Sequence, residues 1–182
     1  MGDFDVNKFI DDIKKNLETL NGKNLEGNKN WTIAIKKKLI DIAVKYELSV
    51  NCKIGKKLNK HHENKEWLYD AIIYSNKTDI FDEVYLVCES EWENKLEGIE
   101  WDFKKMILAR SKVRLLIYQV SKEEFNKFLN RFLKIIEESN TCIIGDIYLF
   151  AIYINMPDGN DIFEVKKYIK TGKKLDNSTF VN

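Results

Sequence analysis

Apolar residues recur along this chain in two patterns, one typical of helices and one typical of strands. Apolar positions three or four residues apart predict four amphipathic helices, over residues 5–21, 31–46, 98–110 and 121–136. Alternating or continuous apolar runs, rich in β-branched and aromatic residues, predict six strands, over residues 48–52, 66–74, 83–89, 113–120, 141–155 and 161–169. Polar segments separate these elements, and residues 171–182 are predicted to be a frayed tail.

The order of these elements predicts an α/β fold. Two helices come first, three strands follow, and later strands alternate with helices before a final pair of strands. A strand–helix–strand unit that returns to the same sheet is parallel and right-handed in nearly all proteins. We therefore expect a mixed central sheet flanked by helices. A chain of 182 residues fits a single domain, with its core over about residues 30–140 and a C-terminal β-hairpin over about 141–170.

Three carboxylates lie on two consecutive predicted strands. Asp70 is on the strand predicted over 66–74, and Glu89 and Glu91 follow the apolar run that ends at Cys88. Because side chains alternate along a strand, Glu89 and Glu91 point to the same face. If the strands pair, Asp70 joins them, and a divalent cation such as Mg²⁺ or Mn²⁺ would offset their mutual repulsion. An exposed strand edge that carries charges to prevent pairing is the alternative.

Composition and charge narrow the class of protein. Hydrophobic residues make up 44% of the chain, which is enough for a sizeable core. No apolar run approaches the length of a membrane span. The three cysteines are far apart in apolar surroundings, so we interpret them as reduced core residues of a cytoplasmic protein. No phosphate-binding glycine motif occurs, and Ser90 has no predicted histidine partner for a hydrolytic triad.

Charge is distributed unevenly although the net charge is only +1. Residues 1–60 hold 13 Lys and 8 acidic residues, residues 61–105 hold 5 Lys and 12 acidic residues, and residues 106–182 hold 12 Lys or Arg and 9 acidic residues. The resulting values are +5, −7 and +3. An acidic centre between basic flanks suits an enzyme that holds a cation inside and a polyanion outside. A patchy solvated surface would give the same counts.

The arrangement of acids resembles the restriction-endonuclease-like, or PD-(D/E)XK, nuclease superfamily. Its signature is an Asp, a variable gap, and then an Asp or Glu two residues before a Lys. Asp70 matches the first acid and Glu89 the second, whereas Glu91 stands where most members have Lys. Some members carry Glu at that place. The resemblance covers roughly residues 30–120, and it implies a restriction-endonuclease-like fold and a Mg²⁺- or Mn²⁺-dependent endonuclease.

The resemblance also implies roles for individual residues. Asp70 and Glu89 would bind the metal, and Glu91 would act as a base, orient water or help to hold a second metal. Lys105, on the helix that follows, would take the role of the missing motif lysine, in preference to Lys104. Two further acids, Glu66 and Asp102, would lie just outside the metal ligands.

Nucleic acid is the expected partner, with DNA preferred to RNA. The run of Lys36, Lys37 and Lys38 and the pair His61 and His62 are candidates for phosphate contacts, although a solvated helix face and an ordinary loop explain them equally well. Cutting both strands of DNA would call for a homodimer. Two alternatives stay open: a catalytically inactive member of the same fold that serves as a binding module, and a small α/β interaction protein without a metal site.

Overall fold

The computed structural model describes residues 4–21, 25, 27–65, 67–75, 83–93 and 95–171. Within them lie four helices, α1 (Val6–Glu18), α2 (Asn28–Lys45), α3 (Leu96–Ile107) and α4 (Phe125–Glu138). Seven strands form one sheet: β1 (Ser49–Cys52), β2 (His62–Glu63), β3 (Ala71–Ser75), β4 (Glu83–Glu91), β5 (Val113–Ser121), β6 (Ile147–Asn155) and β7 (Ile162–Ile169). The α/β class and the mixed sheet predicted from the sequence are confirmed.

The sheet has the order β2-β1-β3-β4-β5-β6-β7. Strands β1, β3 and β4 form an antiparallel meander, and β4, β5 and β6 run parallel to one another. Helices α3 and α4 make the two connections between these parallel strands, as parallel pairing requires. Strand β7 returns antiparallel to β6. The C-terminal hairpin therefore extends the central sheet through the pairing of β5 with β6.

Both faces of the sheet are covered by helices, which explains the continuous apolar runs in its central strands. Helices α1 and α2 pack on one face, around Leu86, Cys88 and Leu115. Helices α3 and α4 pack on the other face, around Val87 and Leu116. None of the described helices is long and apolar enough to cross a membrane.

Three element boundaries differ from the sequence prediction by four residues or more. Strand β3 begins at Ala71, five residues later than predicted, so Asp70 precedes the strand. Helix α4 begins at Phe125, although Ser121 Oγ accepts a hydrogen bond from the Glu124 N–H at 3.3 Å, a contact typical of a helix N-cap. Strand β6 begins at Ile147, because Asp146 Oδ2 accepts from the Ile143 N–H at 3.0 Å and holds a turn there.

Replacing Glu47 with Gly is expected to raise the free energy of unfolding by about 1 kcal/mol. Glu47 follows α2 with a φ of 56°, a left-handed conformation that glycine adopts without strain. The midpoint of urea unfolding measures the change. Lys37→Gly, at an exposed position inside the same helix, is the control and should lower stability by about 0.5–1 kcal/mol. Equal losses in both variants would contradict strain at Glu47.

Candidate functional site

The backbones of Asp70 and Glu89 lie side by side at one end of the sheet. Ala71 pairs with Cys88 in the antiparallel ladder of β3 and β4, so the residue before Ala71 lies beside the residue after Cys88. Strand β1 places a third residue, Lys53, at this end of the sheet, because Cys52 pairs with Ala71. The backbone of Lys53 thus leaves the sheet next to Asp70. The two acids that the sequence singled out are therefore neighbours at the point where β3 begins.

The Asp70 carboxylate is held by three donors from two elements. Its Oδ2 accepts hydrogen bonds from the Ser90 N–H at 2.9 Å and from Ser90 Oγ at 2.8 Å. Its Oδ1 lies 3.0 Å from the ammonium nitrogen of Lys36, on α2. Lys36 is only 4% exposed, so this is an ion pair largely withdrawn from water.

Burial and charge act in opposite directions on the pKa of Asp70. Desolvation would raise the pKa, but the Lys36 ammonium and the Ser90 hydrogen bonds together outweigh it and hold the pKa below its ordinary value. Asp70 therefore stays ionised at neutral pH. It carries a fixed negative charge whose position is set by β4 and α2.

Glu89 is the other charged group at this end of the sheet and is 5% exposed. Its Oε1 lies 2.5 Å from the ammonium nitrogen of Lys105, which is also 3.3 Å from Asp102 Oδ1. Desolvation by burial raises the pKa of Glu89 to about 7; the Lys105 ion pair opposes that rise, and the nearby charges of Asp70 and Asp102 add to it. Glu89 therefore changes its protonation state close to neutral pH, as a general acid or base must.

Lys105 lies on helix α3, and Tyr69 joins this helix to the segment that precedes β3. The Tyr69 hydroxyl donates to the Lys105 carbonyl at 3.4 Å, and the Lys105 ammonium lies 5.7 Å from the centre of the Tyr69 ring. Burial lowers the pKa of Lys105, but its contacts with Glu89 and Asp102 outweigh burial and raise it. Lys105 is thus a permanent cation beside Glu89. The lysine that the sequence analysis preferred is the one that reaches the second acid.

Another predicted site residue, Glu91, is not part of these contacts. Glu91 is half-buried, and its Oε1 accepts from the Glu93 N–H at 2.8 Å. Among the described residues no three Asp, Glu, His or Cys side chains are grouped so that they could hold a metal ion, so the expected three-carboxylate cluster is not assembled there. Glu66 lies outside the described residues.

The residues predicted to contact phosphate differ in their exposure to solvent. Lys37 is exposed and Lys38 half-exposed, whereas Lys36 is buried against Asp70. His62 is fully buried, with Nε2 2.8 Å from the Cys52 carbonyl oxygen and Nδ1 accepting from the Leu58 N–H at 3.2 Å. His61 Nδ1 lies 3.1 Å from the Leu48 carbonyl oxygen. Both histidines therefore fasten the loop after β1, and Lys36 and His62 are too deeply buried for the surface contact expected of them.

Sequence reasoning missed Lys36 and Ser90 as partners of Asp70. One signal for Lys36 was available, since it precedes Leu39 and Ile40 by three and four residues and so lies on the buried stripe of α2. A lysine at such a position needs a carboxylate partner. For Ser90 the alternation of β4 indicated only that its side chain opposes those of Glu89 and Glu91.

Comparison with known proteins finds no family model, no curated protein and no solved structure that matches this chain.

Proposed function

We propose that this protein hydrolyses phosphodiester bonds in nucleic acid, with DNA preferred to RNA, in a reaction that depends on Mg²⁺ or Mn²⁺. One observation carries the proposal: the backbones of Asp70, which is ionised, and Glu89, whose pKa is raised to about 7, are neighbours, and the Lys105 ammonium lies 2.5 Å from Glu89. Hydrolysis of a phosphodiester needs a group that transfers a proton and a cation that stabilises the negative charge of the phosphate. Glu89 and Lys105 can supply these two functions. The proposed resemblance to restriction-endonuclease-like nucleases agrees with it.

The donor set suits a magnesium ion. Mg²⁺ prefers oxygen ligands and in enzymes is commonly bound by one or two carboxylates, with waters and substrate phosphates completing the site. Asp70 and Glu89 would supply the two carboxylates. Glu89 Oε1 is buried and contacts the Lys105 ammonium at 2.5 Å, so a metal bound to this oxygen would share it with that lysine. The bound metal would lower the pKa of a water molecule and neutralise phosphate charge.

The chain's own groups have distinct tasks in this proposal. Ser90 and Lys36 fix the Asp70 carboxylate, so it does not reorient during the reaction. Glu89 accepts or returns a proton, since its pKa of about 7 makes both states accessible. Lys105, 39% exposed at its side chain, can reach a phosphate oxygen at the surface while it still contacts Asp102. Each task can be removed separately by substitution.

A binding module without catalysis is the second candidate, and the Lys36–Asp70 ion pair favours it. A buried ammonium 3.0 Å from Asp70 Oδ1 competes directly with any cation for that oxygen. In such a protein the lysines would replace the metal as counter-ions. The scaffold would then bind nucleic acid or protein and leave the phosphodiester bond intact.

The test is cleavage of labelled single-stranded and double-stranded DNA and RNA in Mg²⁺, in Mn²⁺ and in EDTA. We expect metal-dependent cleavage by the wild type and its loss to background in Asp70→Asn, because the fixed carboxylate charge is removed. Asp41→Asn, at an exposed position on α2, is the matched control and should cleave at the wild-type rate. If the wild type cleaves none of the substrates, or if Asp70→Asn keeps its activity, the proposal is wrong.

A further inference from the structure

The loop between β1 and β3 carries a dense positive charge. Residues 53–65, the lysine segment, contain five lysines and one acidic residue. All five lysine side chains are exposed: Lys53, Lys56, Lys57, Lys60 and Lys65. Among the described residues none of the five forms an ion pair, whereas exposed lysines such as Lys104, Lys127 and Lys134 each pair with a glutamate three or four residues away. The lysine segment is therefore free to bind an external polyanion.

This positive charge begins beside the candidate site. Lys53 leaves the sheet next to Asp70, as the pairing of Cys52 with Ala71 shows. Strand β2 then pairs with β1 at the outer edge of the sheet, and the chain crosses back to reach Asp70. An extended polyanion bound along these lysines would therefore approach Asp70 and Glu89.

The lysine segment is held in place by hydrogen bonds. His62 joins the Leu58 N–H to the Cys52 carbonyl, and Asn64 Oδ1 accepts from the Ile54 N–H at 3.0 Å. Such cross-links reduce the conformational entropy that is lost on binding. The two histidines predicted to contact phosphate thus serve the loop that presents the lysines.

Two exposed tryptophans flank the same end of the sheet. Trp67 is 54% exposed and Trp101 is 74% exposed, whereas Trp31 and Trp92 are buried. Trp67 is three residues before Asp70, so their Cα atoms are at most about 11 Å apart. Trp101 is one helical turn before Lys105 on α3, on the same side of the helix. An exposed indole ring gives an unpaired base a surface for stacking.

We propose that the lysine segment and the indoles of Trp67 and Trp101 bind single-stranded nucleic acid. The lysines contact its phosphates, the indoles stack on its unpaired bases, and the strand is guided to Asp70 and Glu89. Bases in a duplex are already stacked on each other, so exposed indoles favour a single strand. The inference rests on the proposed nuclease function and names its substrate class; a single-strand substrate also removes the need for a homodimer.

Binding is measured separately from cleavage, by the fluorescence anisotropy of labelled oligothymidylate and of a duplex of equal length, in EDTA. We expect the wild type to prefer the single strand. The triple variant Lys56→Glu, Lys57→Glu, Lys60→Glu should weaken binding and reduce the slope of log affinity against log salt by about 2. Trp67→Ala and Trp101→Ala should each weaken binding about 5- to 150-fold. The control Lys122→Glu, Lys127→Glu, Lys134→Glu changes net charge equally near and on α4 and should bind almost as the wild type.

The outcomes separate this inference from the nuclease proposal. Tight single-strand binding that depends on the lysine segment, without cleavage in any metal, would support the inference and refute the nuclease. Cleavage that is unaffected by the triple variant and by both alanine variants would support the nuclease and refute the inference. Preference for the duplex, or equal losses in the triple variant and its α4 control, would overturn the inference and leave the lysines with the role of protecting a sheet edge.

Discussion

Glu89→Gln should be more stable than the wild type at about pH 8 and nearly equal to it at about pH 5. We expect the difference in free energy of unfolding between the two proteins to change by about 2.5 kcal/mol over this range. The reason is that Glu89 is buried and its pKa is raised to about 7 from an ordinary value of 4.5. Glutamine has the shape of the neutral carboxyl group and does not titrate.

The direction of this pH dependence follows from proton binding. A carboxyl group whose pKa is raised by folding binds its proton more tightly in the folded state than in the unfolded state. Its contribution to stability is complete below the unfolded value and is lost as the pH rises through about 7. Above that pH the wild type holds an ionised Glu89 at a site that disfavours the charge. The glutamine variant has no such charge.

Urea unfolding of both proteins at several pH values from about 5 to about 8 measures this difference. Glu91→Gln is the matched control on the same strand. Because the Glu91 side chain is half-exposed to water, its difference from the wild type should change little with pH. A constant difference for Glu89→Gln would mean that Lys105 compensates the buried charge completely. Under the nuclease proposal the stabilised variant should also have lost cleavage, a trade-off expected where an active site holds a disfavoured charge.

Much of the fold could be predicted because its elements are governed by local patterns. Helices α1 and α4 bury regular apolar stripes. Strand β5 is a continuous apolar run because both faces of the sheet are buried there. Strand β2 was missed because only two residues pair, and what fixes them is the burial of His62 against Cys52. That contact joins residues in a polar loop where no period exists. The start of β3 was placed too early for a similar reason, since the apolar Trp67 and Leu68 are exposed.

The candidate site could be predicted only in part. The adjacency of Asp70 and Glu89 follows from strand pairing, and the choice of Lys105 over Lys104 follows from helical spacing. Which cation reaches which acid depends on how α2 and α3 pack against opposite faces of the sheet. That packing is a property of the assembled fold, so the pairing of Lys36 with Asp70 could not be obtained from spacing alone.

Lys36→Met should lower the free energy of unfolding by about 3 kcal/mol at neutral pH, and so should Asp70→Asn. Each single change removes one side of a buried ion pair; the two side chains are 6% and 19% exposed. The double variant should recover most of the loss, because both charges are then absent. Denaturant unfolding of all four proteins gives the coupling energy.

The pair Lys45 and Asp12 provides the control. It joins the same residue types at 2.6 Å, but the Lys45 side chain is 52% exposed. Its coupling should therefore be below about 1 kcal/mol. Equal coupling in the two pairs, or additive losses at Lys36 and Asp70, would show that the Lys36 site is open to water and that its ammonium does not hold Asp70.

The same variant distinguishes the two candidate functions. If Asp70 is a metal ligand, the Lys36 ammonium and the metal compete for its Oδ1, so Lys36→Met should bind Mn²⁺ more tightly than the wild type. The fixed carboxylate is then a site held ready for a cation, with lysine as the placeholder. If neither protein binds Mn²⁺ even in the presence of oligothymidylate, lysine is the permanent counter-ion. Asp70 would then serve the fold, and the lysine segment would act in binding alone.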